Sequence, residues 1–550
     1  MQSKFFNVTI SLLSMLLTHF LIQISLKPAL NISAPGTWLY IIVVLLVGTW
    51  VSLSLSYLND DDFFSFNLYI ITGFLLIGAI LILLIGRIES SVVFQSKKAY
   101  QRLEVTTDSF ENSVQEFDMK AIPRIDQEVA KSLANKKLGE LESVVSQFDT
   151  DDYATLINYQ GNPYRVIPLE YANPLKYLTN KESGIPGYVL VDLIKQTAEY
   201  VELEEGIKYT PSAYFSYDLN KHIKSKYPSC VLGEFNFEID EEGTPYWVVP
   251  VIHYHEFLGG VKTNESTIVV NAINGKIKKY NIDDIPSWID HALETDLIIE
   301  QIDSWGKYKN GFWNSTFFTS QKGVKESTNL HNFIIQNDDI YLYTGITSVN
   351  ADKSNIGFML VNMRTGQTKY ITCPSITETA AQDTAKAIYP EREYEVTDPL
   401  LLNVNNVPTY VASLKAEDKL VKVYAFINAT DPTIIGYASG TEGMEKALEN
   451  YTLALEGKTF LPTDSTNSNN NSNTTPEVSV ETAEITLQIS QAKEIVFNGT
   501  TSLYIIDKDG KIYIAPITAN AEKFFTLKTG DELTASTYQK DGYFFITKFE

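Results

Sequence analysis

The chain has 550 residues and a formal net charge of −23, from 67 acidic and 44 basic side chains. That balance excludes a nucleic-acid binder, because phosphate backbones are held by clustered lysine and arginine. Two cysteines, Cys230 and Cys373, exclude a disulfide framework and leave a single bridge as the most they could form.

Aromatic residues make up 12% of the chain, a level that suits β-rich domains better than a helical bundle. The length allows about three or four domains. Residues 1–90 read as a membrane domain with three transmembrane helices, over 5–26, 38–58 and 66–86. Each stretch reaches the roughly 20 apolar residues that a bilayer crossing needs, and backbone without water partners must be helical there. His19 and Gln23 weaken the first, for which a cleaved signal peptide is the rival reading. No small-residue cleavage pattern follows Lys27, so a retained helix is preferred.

Arg87, Lys97, Lys98 and Arg102 follow the third helix, and Asp60, Asp61 and Asp62 lie between the second and third. Counted by the positive-inside rule, these residues put the rest of the chain in the cytoplasm.

Residues 91–120 form a polar connector. In 121–205, Ile125, Val129, Leu133, Leu138, Leu141 and Val145 recur at helical spacing, predicting an amphipathic helix or helix pair that Asp126 caps. Strand pairs follow with a common grammar: a small residue or proline, an aromatic, an apolar β-branched run, a polar turn, then a second strand. Asn274-Gly275 and Thr365-Gly366 mark hairpin turns, since glycine tolerates the positive φ such turns need. Helical segments over 217–226 and 377–388 precede two of the pairs. A helix followed by antiparallel strands thus recurs about three times, over 121–205, 206–300 and 301–460.

Residues 461–480 include STNSNNNSNTT, a flexible linker with nothing to bury. Six short strands then fill 481–550, which reads as a small all-β barrel. The fold class is therefore α+β, with transmembrane helices at one end and the barrel at the other.

TPYWVVPVIHYH…VVNAINGKIKKYNI and PLLLNVNNVPTYVASLKAEDKLVKVYAFINATDPTIIGYA resemble PepSY-like and cystatin-like extracytoplasmic modules. From Ile122 to about Leu455 the chain looks like uncharacterised bacterial membrane-anchored proteins. The final domain resembles an OB-type barrel without a basic groove. The resemblance implies a multi-pass protein of the cell membrane with outward-facing domains, against the charge rule, and carries no catalytic residues with it.

His253 and His255 are the candidate metal ligands, because alternate residues of a strand share a face. An exposed polar edge strand is the plainer reading. Asp507, Asp509 and Gly510 resemble the start of a calcium loop, but Thr518 stands where its glutamate belongs, so a hairpin turn is expected. The acidic run Glu238, Asp240, Glu241 and Glu242 reads as solvated. Trp305, Tyr308, Phe312, Trp313, Phe317 and Phe318 form an aromatic group that suits a core or a ligand groove.

No motif calls for a cofactor. The sequence therefore points to a non-enzymatic, membrane-anchored binding or scaffold protein. Its expected partners are the lipid bilayer and other envelope proteins or a second copy of the chain. A regulator or inhibitor of an envelope peptidase and a metal-dependent hydrolase built on His253 and His255 are the alternatives.

Overall fold

A computed structural model of the chain describes residues 2–58, 63–117, 119, 122–316, 321–349, 354–457, 483–497, 500–516, 530–540 and 543–549. It divides into two units, residues 1–463 and 464–550. The expected linker lies outside the described residues, as do Phe317 and Phe318.

Three apolar helices open the chain, α1 (Gln2–Ser25), α2 (Pro35–Leu58) and α3 (Phe63–Glu89). All three are long and apolar enough to cross a membrane. Their outward faces carry Leu16, Leu17, Trp50 and Phe74, large side chains left bare of protein. His19, the polar residue of α1, bonds the Tyr40 hydroxyl of α2, so a group that hydrocarbon would penalise has a partner.

The stretch expected to be a connector is structured. It forms α4 (Val92–Gln101), β1 (Val105–Asp108) and α5 (Phe110–Ser113). β1 adds in parallel to a distant strand, Val105 opposite Thr368. Its sequence, VTTD, is β-branched but too short to read as a strand alone, and the partner that makes it one lies far away in the chain.

Four units follow, one more than the repeat in the sequence suggests. The first holds α6 (Gln127–Gly139), α7 (Glu142–Val145), β2 (Phe148–Thr150), β3 (Thr155–Tyr159), β4 (Asn162–Tyr171), α8 (Pro174–Asn180), β5 (Ile185–Asp192) and β6 (Thr197–Ile207). The second holds α9 (Leu219–Lys226), β7 (Val231–Leu232), β8 (Asn236–Ile239), β9 (Pro245–Glu256), β10 (Gly259–Asn271) and β11 (Ile277–Asn281). The third holds α10 (Thr295–Tyr308), α11 (Phe312–Ser315), β12 (Lys325–Gln336), β13 (Asp339–Ser348), β14 (Ser354–Asn362) and β15 (Thr368–Ile376). The fourth holds α12 (Glu378–Lys386), β16 (Glu395–Val396), β17 (Leu400–Val404), β18 (Val407–Lys415), β19 (Val421–Asn428) and β20 (Ile435–Ser439), and α13 (Gly443–Leu455) closes it.

Each unit is an antiparallel meander whose first edge is interrupted, by a break in three units and by a register slip in the third unit. β2 and β3 pair one after the other with β4, β7 and β8 with β9, and β16 and β17 with β18. β12 is continuous, but its register slips between Ser327 and His331, at the corresponding place.

The last hairpin of each unit is tied by one side chain. Asp192 Oδ1 accepts from the backbone N–H of Ile194 and Lys195. Asn271 accepts from Ile273 and Asn274, Asn362 from Arg364 and Thr365, and Asn428 from Thr430 and Asp431. A short side-chain acceptor at this position closes a turn while its own backbone stays in the strand. Four residues on, Gln196, Gly275 and Gly366 adopt positive φ of 58°, 72° and 76°. The fourth unit has Pro432 there and turns by a different route.

Asp126 caps α6 as its spacing predicts, accepting from Val129 N–H at 2.9 Å. Cys230 and Cys373 are both free and buried, in separate clusters of the core. In residues 464–550 the described strands are β21 (Ala483–Phe497), β22 (Thr500–Asp507), β23 (Ile512–Pro516), β24 (Glu532–Lys540) and β25 (Tyr543–Phe549), closed as a barrel. Two expected strands merge into β21, whose pairing slips between Ile489 and Gln491 so that one strand serves both sides. Asp507 accepts from Asp509 and Lys511 N–H, which makes the DKDGK segment a hairpin turn.

Candidate functional site

The broken edges of the four units face one another and leave a cleft. Two adjoining cavities of about 370 and 250 Å³ share Gln127, Leu156, Arg165, His331 and Phe333. The first unit contributes its break at Asp152–Thr155, the second Glu234–Asn236, the third His331–Phe333 and the fourth Thr397–Asp398. Cross-unit hydrogen bonds hold the edges there, from Phe237 N–H to Thr155 Oγ1 and from Asn332 Nδ2 to the Asp398 carbonyl. A broken strand leaves backbone groups without ladder partners, so these are the places where a sheet can meet a ligand.

Arg165 lies between the two cavities. It stands on β4 opposite Leu156, and its Nη1 donates to the Ala154 carbonyl at 2.7 Å. Its Nε is buried with no hydrogen-bond partner. Among the described residues no carboxylate forms an ion pair with it. Burial pushes its pKa down to about 10 against the pull of Asp126, which still leaves it a cation at neutral pH. Arg124 lines the same cleft with its own buried, unpartnered Nε, while its Nη2 pairs with Glu445 at 2.5 Å.

Burial lowers the pKa of His331, and that of His291 falls to about 4, so both rings are neutral at pH 7. His291 Nε2 donates to the Leu156 carbonyl at 2.8 Å. Exposed carboxylates of Asp152, Glu234, Asp296 and Asp398 surround this interior. The cleft therefore has a cationic floor and an acidic rim.

Two further carboxylates of the cleft lining, Asp126 and Glu128, join the first unit to the fourth through a buried lysine. Lys415 of β18 is buried and reaches Asp126 at 2.6 Å and Glu128 at 2.8 Å, at the start of α6. Its hydrogen bond and that of Lys419 hold the Glu128 carboxyl down to about 2.

The acidic run read as solvated is divided by the fold. Glu241 and Glu242 are exposed, but Glu238 is fully buried and accepts from the N–H groups of Asp290 and His291. Burial raises its pKa to about 7, and burial followed by the charge of Glu238 raises that of Asp290. Spacing alone put Glu238 beside a turn; the packing of a second unit on β8 is what buries it.

No protein-family model matches the chain, and no curated protein matches it.

The described members of the aromatic group fall into two contacts. Trp305 packs on Tyr370 with ring centroids 5.4 Å apart, and the Lys325 ammonium sits 4.0 Å from the Tyr370 ring centroid. Tyr308 and Phe312 lie 6.4 Å apart, and Phe312 meets Trp313 at 5.4 Å. Trp313 itself is 71% exposed.

His253 and His255 do share a face, with ring centroids 4.8 Å apart. Sequence reasoning named neither Arg165 nor Glu265, which joins the two histidines from β10. A lone arginine inside an apolar strand, RVIPL, was the available signal for the first. For the second no signal exists, since only the pairing of β10 with β9, Thr263 opposite His253, puts Glu265 on the histidine face.

Proposed function

We propose that this is a membrane-anchored binding protein that captures a ligand through an anionic group, a carboxylate or phosphate, in the four-unit cleft. The observation that carries the reading is the Arg165 guanidinium, held in the cleft with a free Nε and, among the described residues, no ion-pair partner. A buried cation without a partner is costly, and a bound anion offsets that cost with charge-assisted hydrogen bonds. The exposed carboxylates at the rim suit a ligand whose cationic or polar end faces outward, as in an amino acid or a peptide C-terminus. The cavity sizes fall near the lower end of small-molecule sites.

The test uses the full chain in detergent, with thermal unfolding followed against inorganic phosphate, a short peptide with a free C-terminus, and the same peptide amidated. The reading expects a saturable rise in Tm with phosphate or the free-acid peptide, none with the amide, and its loss in Arg165→Gln. Equal shifts in wild type and Arg165→Gln would sink it.

The anchor sets the side on which the ligand must be found. The four-unit body touches the α1–α2 loop, where Leu30 N–H bonds the Pro228 carbonyl at 2.8 Å, and the end of α3, where Leu258 packs on Gly86. Lys27, Arg87, Lys97, Lys98 and Arg102 thus share the body's side of the helices. By that count the body faces the cytoplasm, against the outward placement that the domain resemblance implies. Protease added to intact cells should then leave the segment around Asn470 uncut until lysis. Cleavage without lysis would restore the outward placement.

A further inference from the structure

The geometry points to a site for a borderline divalent cation such as Zn²⁺ on the β9–β10 hairpin, held by His253, His255 and Glu265. The ladder between the two strands is regular as far as Asn264, which pairs with Ile252; the next pair is Ser266 with Val251. Glu265 is therefore the extra residue of a β-bulge, and, two residues beyond the Thr263 that pairs with His253, it lies on the histidine face. Its Oε1 lies 3.0 Å from His255 Nε2. Taken one atom per residue, the possible donor atoms of His253, His255 and Glu265 all lie within 4.8 Å of one another.

Two donor atoms on a tetrahedral zinc, each about 2.0 to 2.1 Å from the ion, are about 3.3 Å apart. The Glu265–His255 pair already sits close to that spacing, and His253, exposed and free to change rotamer, is the one that must swing in. Two imidazole nitrogens and one carboxylate oxygen make a donor set for Zn²⁺, Co²⁺, Ni²⁺ or Cu²⁺, whereas Mg²⁺ and Ca²⁺ prefer all-oxygen sites. The three ligands leave the solvent side open for water.

The bulge that supplies Glu265 is braced. Asn264 Nδ2 donates to the Val251 carbonyl at 3.3 Å, and Asn264 Oδ1 accepts from Glu294 N–H at 3.0 Å. Thr263 Oγ1 lies 2.7 Å from His255 Nε2 and holds the ring over the hairpin in the absence of an ion. Among the described residues, His253, His255 and Glu265 are the one group of three or more possible metal ligands this close together.

The site is also placed at a joint. The hairpin tip, Phe257 to Gly260, rests on the end of α3, and Phe257 packs edge-on against Trp38 of α2 with centroids 5.9 Å apart. A cation cross-linking β9 to β10 would stiffen the segment through which the body meets the membrane helices.

The experiment is a Co²⁺ titration of the full-length protein in detergent, read by visible ligand-field absorption and followed by displacement with Zn²⁺. One equivalent is expected to bind, with affinity falling about 100-fold or more in His253→Ala and in His255→Ala, and by at least about tenfold in Glu265→Gln. His222→Ala, which removes a histidine elsewhere in the same unit, should bind as wild type does. His253 is exposed, so its alanine variant is expected to fold, and an unchanged circular-dichroism spectrum checks this. Absence of a ligand-field band in the wild-type protein, or a band that persists in the His253→Ala/His255→Ala double variant, overturns the assignment.

Discussion

Within each of the four units, one end of the sheet is uniform and the other varies. The last hairpin repeats the same device four times, an aspartate or asparagine that ties its own turn. The first edge repeats only its interruption, and the residues around that interruption differ from unit to unit. The uniform end is a folding requirement, since a hairpin with the wrong register turns every side chain to the wrong face. The variable end faces the cleft, to which each unit contributes different residues. A scaffold repeated four times thus leaves its differences where the edges meet.

The largest effect should come from breaking the uniform end. Asn362 is buried, ties the turn and also donates to Asp339 at 2.8 Å, so Asn362→Ala leaves buried donors and an acceptor unpaired. Its cost is expected to be about 3 kcal/mol, seen as a clear fall in Tm. Arg165→Gln at the variable end should lower Tm far less while abolishing the ligand-induced shift. A reversal of that order would undo the contrast between the two ends.

Next in size is Asp126→Ala, which removes the cap of α6 and one of the carboxylates that neutralise buried Lys415. About 2 kcal/mol is expected, and Glu128 remains to limit the loss. Denaturant unfolding of the full chain in detergent measures it.

The buried carboxyls sharpen the comparison through pH. Both Glu238 and Asp290 hold their protons more tightly folded than unfolded. Their favourable contribution is therefore complete below the ordinary carboxylate range and is lost as pH rises through about 7. Wild-type Tm should fall between mildly acidic and mildly alkaline pH, and Asp290→Asn, which mimics the protonated form, should flatten that fall. An equally steep profile in the variant would show that the pair does not share this titration.

The smallest effect belongs to Trp313→Ala. With the ring 71% exposed, the change should stay within about 0.5 kcal/mol. A loss of several kcal/mol would mean that an unseen surface covers it.

Much of the fold can be read directly from the residues. The membrane helices follow from composition, because uncharged runs of that length have one stable form in hydrocarbon. Asp126, Asn274-Gly275, Thr365-Gly366 and the DKDGK turn are local devices whose partners lie within a few residues, and the structure has them all. The repeat is visible too, although counting it as four requires noticing Asp192, Asn271, Asn362 and Asn428 rather than the glycines, since one unit has Gln196 and another Pro432 in the glycine's place.

What tertiary structure alone decided are the contacts between distant segments. β1 became a strand because β15 lay beside it, and Glu238 became buried because a neighbouring unit covered it. Arg165 came to line the cleft with its Nε unpartnered. Glu265 reached His255 because β10 pairs with β9, Thr263 opposite His253. The sequence by itself determined the anchor and the repeating unit, since both depend on periodicity and short-range hydrogen bonds. The cleft and the histidine face required the packed molecule, because burial, register and unpaired charge are properties of neighbours that the sequence does not place.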